Sequence, residues 1–341
     1  MAEEHASTIQ EIDAFPDPLG VLEGRKLEGG MVLEKVQVSI GVVGFIYESR
    51  PNVTVDAVAL CIKSGNAVLL KGGKEAIHSN MILATICRQA LLDAKLPDGL
   101  VGLLDCSDRK VVDHLCHQAG HVDLIIPRGG HGLIQHVSKE SLVPVIKHDA
   151  GNCHTYVESS ADIDKAIAIV LNAKTQRTGV CNATESLVVD ALIAPKFLPL
   201  LGQALNKKGV EMRCCPEAKQ HLPDSISATE ADWGTEYLDS ILSIKVVDDF
   251  DEAVEHISRY SSGHTEAIVT KDISKARFFE EQIDSSVVMI NASTRFSDGG
   301  MFGLGAEIGI STDRLHARGP MGAASLTTYK YILKGDGQTR N

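Results

Sequence analysis

A strand-then-helix alternation runs through most of the 341 residues and constrains this chain more than any other feature. Gly41 to Ile46 is a continuous apolar run, of the kind a parallel strand covered on both faces requires. Ala67 to Leu70 is a short apolar strand. Glu75 to Ala94 has helical spacing, with Ile77, Met81, Ile82, Ile86 and Ala90 expected on the inward face. Leu100 to Leu104 reads as a strand, Lys110 to Ala119 as a helix, and Val122 to Ile126 as another buried strand before Gly129-Gly130 and a helix. The second half predicts strands at His154–Val157, Leu187–Val189, Ile241–Val247, Ala267–Thr270 and Val287–Ile290. Helices fit Ile163–Ala173, Phe197–Asn206, Asp251–Tyr260 and Ser274–Gln282. This rhythm gives right-handed βαβ units in doubly wound α/β sheets. Gly20 to Val38 reads as a hairpin turning at Gly29-Gly30, and Leu326 to Leu333 as a terminal strand. Ser293 to Gly322 is rich in Gly, Arg and small polar residues, and loops of that length inside compact domains are usually functional.

The length favours two domains over one. A net charge of -12 and a pI near 5.5 argue against nucleic acid or an anionic membrane as partner, while leaving anionic small substrates open. The opening MAEEHASTIQEIDAF lacks the basic and apolar regions of a signal peptide, and no apolar run reaches membrane-spanning length. The eight cysteines have no framework spacing, as in a chain kept reduced. A cytoplasmic location is expected.

Ligands of open α/β sheets sit at the carboxyl ends of strands. Leu69-Leu70-Lys71-Gly72-Gly73-Lys74 and Ile125-Ile126-Pro127-Arg128-Gly129-Gly130 both place basic residues and glycines where a strand passes into a helix, and such ends favour phosphate. Neither is a G-x-G-x-x-G fingerprint, and on loop chemistry alone simple strand–helix turns account for them. Among candidate nucleophiles, Cys181 follows Gly179, which allows a tight turn, and has Arg177 and Lys174 nearby to favour a thiolate. A small buried hydrophobe is the ordinary role of a cysteine. Cys61, Cys87, Cys106 and Cys116 fit it, and the Cys214-Cys215 pair reads as incidental. His114, Cys116, His117 and His121 crowd one helix end without a His-Glu-x-x-His or Cys-x-x-Cys pair, so no metal is expected. No Gly-x-Ser-x-Gly elbow supports a serine hydrolase.

Several segments together go beyond generic reading. GVVGFIYESRPNVT (41–54), SGNAVLLKGGKEA (64–76), DLIIPRGG (123–130), GNCHTYV (151–157), QRTGVCNATESLVV (176–189), SGHTEAIVT (262–270) and NASTRFSDGGMFGLGAEIGISTDRLHARGPMG (291–322) closely resemble the γ-glutamyl phosphate reductases of the aldehyde dehydrogenase superfamily. The resemblance runs from about Phe15 to about Gly335. It implies an aldehyde dehydrogenase-like fold of two doubly wound α/β domains plus oligomerisation strands. A cofactor domain is then expected over 1–150, including the 20–38 hairpin, a catalytic domain over 151–322, and an oligomerisation strand and tail over 323–341. The implied reaction is NADPH-dependent reduction of L-γ-glutamyl 5-phosphate to L-glutamate 5-semialdehyde, in proline biosynthesis. Its substrate would be channelled from a glutamate 5-kinase, and a homo-oligomer is expected because the hairpin and terminal strand carry exposed edges.

By the same resemblance Cys181 matches the superfamily nucleophile. Lys71 matches the lysine that approaches the adenosine ribose, with Gly72, Gly73, Arg128, Gly129 and Gly130 beside it on the cofactor. Lys74 stands where NAD-preferring members carry an acid for the ribose 2′-hydroxyl; a cation there suits a 2′-phosphate and hence NADP(H). Glu236 matches the glutamate that holds the nicotinamide ribose. Asn291 to Asp298 matches the loop that closes over the substrate, including Asn291, Arg295 and Ser297. Arg50, Arg177 and Arg295 are candidates for the anionic groups of the substrate. The oxyanion donor is expected to be a backbone N–H near Cys181, helped by the Asn182 side chain. His148 stands where hydrolytic members carry the water-activating glutamate, and losing that carboxylate suits an acyl-phosphate reductase. Members of the family begin with helices ahead of the position of Phe15 and commonly carry Pro where Thr178 stands. A non-catalytic truncated paralogue and an aldehyde dehydrogenase with another substrate are the competing readings.

Overall fold

The structure is a computed structural model and describes residues 9–48, 51–106, 108–147, 150–304 and 306–340. The chain forms two compact units, one of residues 1–147 with 303–341, the other of residues 148–302.

The first unit is built on strands β3 (Val42–Tyr47), β4 (Ala67–Lys71), β5 (Val101–Leu103) and β6 (Leu124–Arg128), hydrogen-bonded in the order β5-β4-β3-β6 and all parallel. Phe45, Ile46 and Tyr47 are buried in succession, because helices cover both faces of the sheet. Register pairs Ile46 with Lys71 and Tyr47 with Arg128, so three strands end level, and their carboxyl ends open together. Helix α1 (Asn52–Lys63) was not among the expected elements. Val53, Thr54, Val55, Val58 and Ile62 are β-branched, which lowers intrinsic helix preference, and burial of the helix overrides it.

Helix α2 (Ile77–Asp93) forms where the spacing predicts, with the opposite face inward. Met81, Ile82 and Ile86 are 42%, 62% and 58% exposed, while Asn80, Ala84 and Leu91 are buried. The inward face is chosen by a polar contact. Asn80 accepts a hydrogen bond from the Thr54 hydroxyl (3.2 Å), and Thr54 in turn meets the Tyr47 hydroxyl (2.6 Å). A buried polar side chain is held by its partners, and periodicity alone does not reveal them.

Strands β1 (Gly20–Lys26) and β2 (Val32–Ser39) form the expected hairpin, and β14 (Thr327–Lys334) pairs antiparallel with β2 to complete a sheet in the order β1-β2-β14. The expected domain boundary at 322 is corrected. Residues 303–322 belong to the first unit, because Ala306, Ile308, Ala317 and Met321 join the core that contains Val43, Phe45 and Leu70.

The second unit carries a seven-stranded parallel sheet. Its strands are β7 (Cys153–Val157), β8 (Thr184–Asp190), β9 (Glu211–Cys214), β10 (Ile226–Ser227), β11 (Ile241–Val247), β12 (Thr265–Val269) and β13 (Val287–Ile290), in the order β10-β9-β11-β8-β7-β12-β13. Helices α5 (Ile163–Thr175), α6 (Ala194–Lys207), α9 (Phe250–Tyr260) and α10 (Ile273–Gln282) follow the expected positions; α3 (Lys110–Cys116) and α4 (His131–Glu140) do the same in the first unit. Strand β9 and the short helices α7 (Pro216–Lys219) and α8 (Glu230–Trp233) were not expected. The Cys214-Cys215 pair has a structural role there: Cys214 ends β9, and the Cys215 sulfur accepts from the Ala218 (3.4 Å) and Val246 (3.3 Å) amides.

Strand β7 leads through α5 to β8 on one side, and β12 leads through α10 to β13 on the other. The carboxyl ends of β7 and β12 therefore form a switch point, where open sheets leave a crevice. The Glu158 carboxylate fills it. It is 1% exposed and accepts from Ser159, Ser160, Thr270 (2.7 Å) and Lys275. Burial alone raises a carboxylate, but Lys275 and the three hydroxyls outweigh it and hold Glu158 at about 2. The folded pKa lies below the unfolded one, so this contribution to stability is present above the ordinary carboxylate range and is lost as pH falls towards 2. Glu158→Gln is expected to lower unfolding stability by about 1–3 kcal/mol at neutral pH. In denaturant titrations the gap between variant and parent should shrink below about pH 4.

Candidate active site

In the second unit Cys181 lies on the turn between α5 and β8. It is half-buried, whereas the other cysteines of this unit are buried. Burial pushes the Cys153 thiol well up, with Glu266 and Cys181 adding to the effect; it pushes Cys214 to about 11 and also raises Cys215. Buried thiols of this kind are inert, so Cys181 is the accessible thiol of its unit. In the first unit Cys61 and Cys116 are buried as expected and Cys87 is half-buried, but Cys106 is exposed, a correction to its expected burial. In sequence it sits between Asp105 and Asp108, with Arg109 and Lys110 following.

The Cys181 turn is held by backbone contact. Gly151 lies so close that a Cβ there would meet the Cys181 carbonyl oxygen at 1.9 Å and its C and Cα at 2.5 Å. The Gly151 N–H donates to the Glu236 carboxylate (2.7 Å), and the Cys153 thiol donates to the Cys181 carbonyl (3.2 Å). Gly179, expected to permit the turn, has open surroundings: a Cβ would meet only the Leu238 carbonyl at 3.8 Å. Gly151 is the glycine the turn requires, thirty positions away in sequence.

The Asn182 side-chain amide donates to the Ser297 carbonyl (2.7 Å), and Thr294 donates to the Asn182 carbonyl (2.7 Å). One N–H of that amide thus holds the loop. Ser297 is fully buried, and its hydroxyl accepts from Thr265 (2.9 Å). Asn291 adopts φ +54 and clasps the Thr270 backbone, accepting from its N–H and donating to its carbonyl, both at 2.9 Å. These three residues shape the loop. Arg295 is half-buried and donates to the Gln176 side chain (2.8 Å); burial lowers its pKa, and Asp298, Cys181 and Arg177 lie within electrostatic reach. Arg177 is exposed. The structure thus brings Arg295 to the nucleophile, with Arg177 near Arg295. Lys174 is corrected: it is fully buried and ion-paired with Glu185, unavailable to the thiol. Arg50 and His148 lie outside the described residues.

In the first unit a cleft of about 910 Å³ opens at the strand ends, lined by Lys71, Gly72, Gly73, Lys74, Arg109 and Gly130 among others. Lys71 is 7% exposed and donates to the Gly72 carbonyl (2.8 Å). Gly72 leaves no room for a side chain, since a Cβ would lie 2.1 Å from the Asn80 amide nitrogen. The Gly130 N–H donates to Glu48 (3.0 Å), and a Cβ on Gly129 would meet Leu133 at 2.7 Å and Glu48 at 2.8 Å. Arg128 points elsewhere, with its guanidinium 3.5 Å from where a Gly309 Cβ would stand. Arg109 was not anticipated; it joins the cleft because it stands at the start of α3, the helix that follows β5. Glu48, Glu75 and Asp113 also line the cleft; beside them Lys71, Lys74, Arg109 and the close-packed Gly72 fit the phosphates of a nicotinamide dinucleotide.

The profile of the aldehyde dehydrogenase family matches residues 2–219 and 226–307. A gamma-glutamyl phosphate reductase of Carboxydothermus hydrogenoformans is 53% identical over 336 residues, covering 98% of this chain and 81% of its own. One from a Nitratiruptor species is 54% identical, with 98% and 82% covered. The crystal structure of gamma-glutamyl phosphate reductase from Thermotoga maritima superposes with a TM-score of 0.98 at 47% identity, covering 99% of this chain and 82% of that one. An acetylating aldehyde dehydrogenase from Geobacillus thermoglucosidasius shares the fold, with a TM-score of 0.75 at 18% identity. Among the described residues no helix is long and apolar enough to cross a membrane. The chain belongs to the aldehyde dehydrogenase family, in the group of the gamma-glutamyl phosphate reductases.

Proposed function

We propose that the chain reduces L-γ-glutamyl 5-phosphate to L-glutamate 5-semialdehyde with NADPH, releasing phosphate, through a thioester on Cys181. The observation that carries this reading is Cys181 itself: an accessible thiol on a turn fixed by Gly151, with Arg295 in electrostatic reach and Arg177 near Arg295. The Cys181 thiolate attacks the acyl carbon, the C–S bond forms, and the C–O bond to phosphate breaks. Backbone N–H groups of the turn stabilise the oxyanion, and the two arginines hold the anionic ends of the substrate. NADPH supplies the hydride that reduces the thioester. Collapse of the resulting thiohemiacetal returns the aldehyde and the Cys181 thiolate. Lys71, Gly72, Gly73, Lys74 and Arg109 would hold the phosphates of the dinucleotide in the cleft of the first unit.

The enzyme is read as a cytoplasmic homo-oligomer. Val21, Leu22, Tyr331 and Leu333 are 62%, 54%, 59% and 55% exposed on its antiparallel sheet, a surface suited to a second copy. Transfer of the acyl phosphate directly from a glutamate 5-kinase would limit its loss to water.

An assay of glutamate semialdehyde oxidation, with phosphate and either NADP or NAD, tests the reading. Phosphate-dependent turnover preferring NADP is expected, and a folded protein without turnover would contradict it. Lys74→Asp is expected to raise KM for NADP about tenfold or more while leaving KM for NAD nearly unchanged. Equal use of both cofactors by the parent would remove the role given to Lys74.

A further inference from the structure

Lys174 and Glu185 are a buried ion pair outside the reacting groups, both side chains with no exposed surface. Lys174 is in the last turn of α5, and Glu185 is the second residue of β8, four positions after Cys181. One Glu185 oxygen takes the Lys174 ammonium; the other accepts from the Leu238 N–H at 3.1 Å. Leu238 itself is 46% exposed and held at φ +53, a conformation that L residues with a branched side chain seldom adopt unless their surroundings impose it. Two residues earlier Glu236 accepts from Gly151 at 2.7 Å, and Gly151 lies against the Cys181 backbone. Contacts and chain thus close a loop from Cys181 along β8 to Glu185, across to Leu238 and Glu236, and through Gly151 back to Cys181.

We infer that Glu185, oriented by Lys174, is a positioning residue of the reductase. It fixes the 236–238 turn, and through Glu236 and Gly151 it fixes the backbone of Cys181. A buried pair is weak evidence of stabilisation, because removing both charges together is often neutral. Its geometric effect is specific, since the second carboxylate oxygen accepts from the Leu238 N–H in a turn that Tyr237 also anchors by donating to Asp232 (2.8 Å). The inference rests on the Cys181 reading above.

Two double variants separate tether from charge. Lys174→Met with Glu185→Gln removes the ion pair and keeps an acceptor for the Leu238 N–H. Lys174→Met with Glu185→Leu removes both. The first is expected to keep kcat within about threefold of the parent, and the second to lose about tenfold or more in kcat with KM for the aldehyde little changed. Alkylation of Cys181 by iodoacetamide should proceed in both. Hydrogen exchange on the parent needs no variant: the Leu238 amide, despite its exposed side chain, should exchange about 100-fold or more slower than an unstructured amide. Equal kcat in the two double variants, or fast exchange at Leu238 in the parent, would overturn the inference. Parent activity that survives Cys181→Ala would sink the Cys181 reading instead, and the Leu238 exchange rate would still report on the tether.

Discussion

Cys181→Ala is expected to fold with the parent's stability and to lose reductase turnover by about 10⁴-fold or more, the scale on which removing a covalent nucleophile acts. The residue is half-buried and its sulfur is small, so stability should change by about 1 kcal/mol or less. Cys106→Ala is the matched control. Cys106 is the exposed cysteine of the other unit, and its loss should leave turnover and stability unchanged. Steady-state rates and thermal melts on both variants decide the matter. Equal losses in the two would point to general thiol damage, not to a single nucleophile.

Gly151→Ala is expected to reduce turnover by about 100-fold or more without removing any reactive group. The added methyl would lie 1.9 Å from the Cys181 carbonyl oxygen, and both sides of the clash are backbone, so no rotamer change relieves it. Gly151 has little freedom to retreat, since its N–H is held by Glu236 (2.7 Å) and its carbonyl accepts from the Cys153 N–H (2.9 Å). The Cys181 turn must therefore shift, and overpacking of this kind should also cost about 1–3 kcal/mol of stability. Gly179→Ala, closer to Cys181 in sequence, meets only an ordinary contact at 3.8 Å and should be nearly silent in kcat and in melting temperature. An active Gly151→Ala enzyme would mean that the Cys181 backbone tolerates displacement.

The same pair of glycines shows what the sequence could convey. Strands such as β3, β7 and β11 and helices such as α5 and α9 were legible, because burial on both faces or one face imprints apolar runs and spacing. Helix α1 was hidden by its β-branched residues, whose propensity is overridden by burial. The inward face of α2 was misread because Asn80, a polar residue, is the one that packs against Thr54. Periodicity also says nothing of chain return, so the packing of Ile308 and Met321 with Phe45 and the boundary it moves were not anticipated. At the site, Cys181 stood out through its setting in QRTGVCNA, and Lys71 and Lys74 through their place at a strand end. The orientation of Lys174, the engagement of Asn182 and Asn291, and the contact between Gly151 and Cys181 depend on which groups meet across long separations. Local sequence carries no record of those meetings.

The most direct test of the account is to look for the acyl-enzyme. Incubating the protein with glutamate semialdehyde and NADP without phosphate runs the reaction backwards and leaves no acceptor for the acyl group. Peptide mass analysis after acid quench is expected to find a glutamyl thioester on Cys181, which disappears when phosphate is added. Turnover with no adduct on Cys181, or an adduct on another residue, would contradict the mechanism.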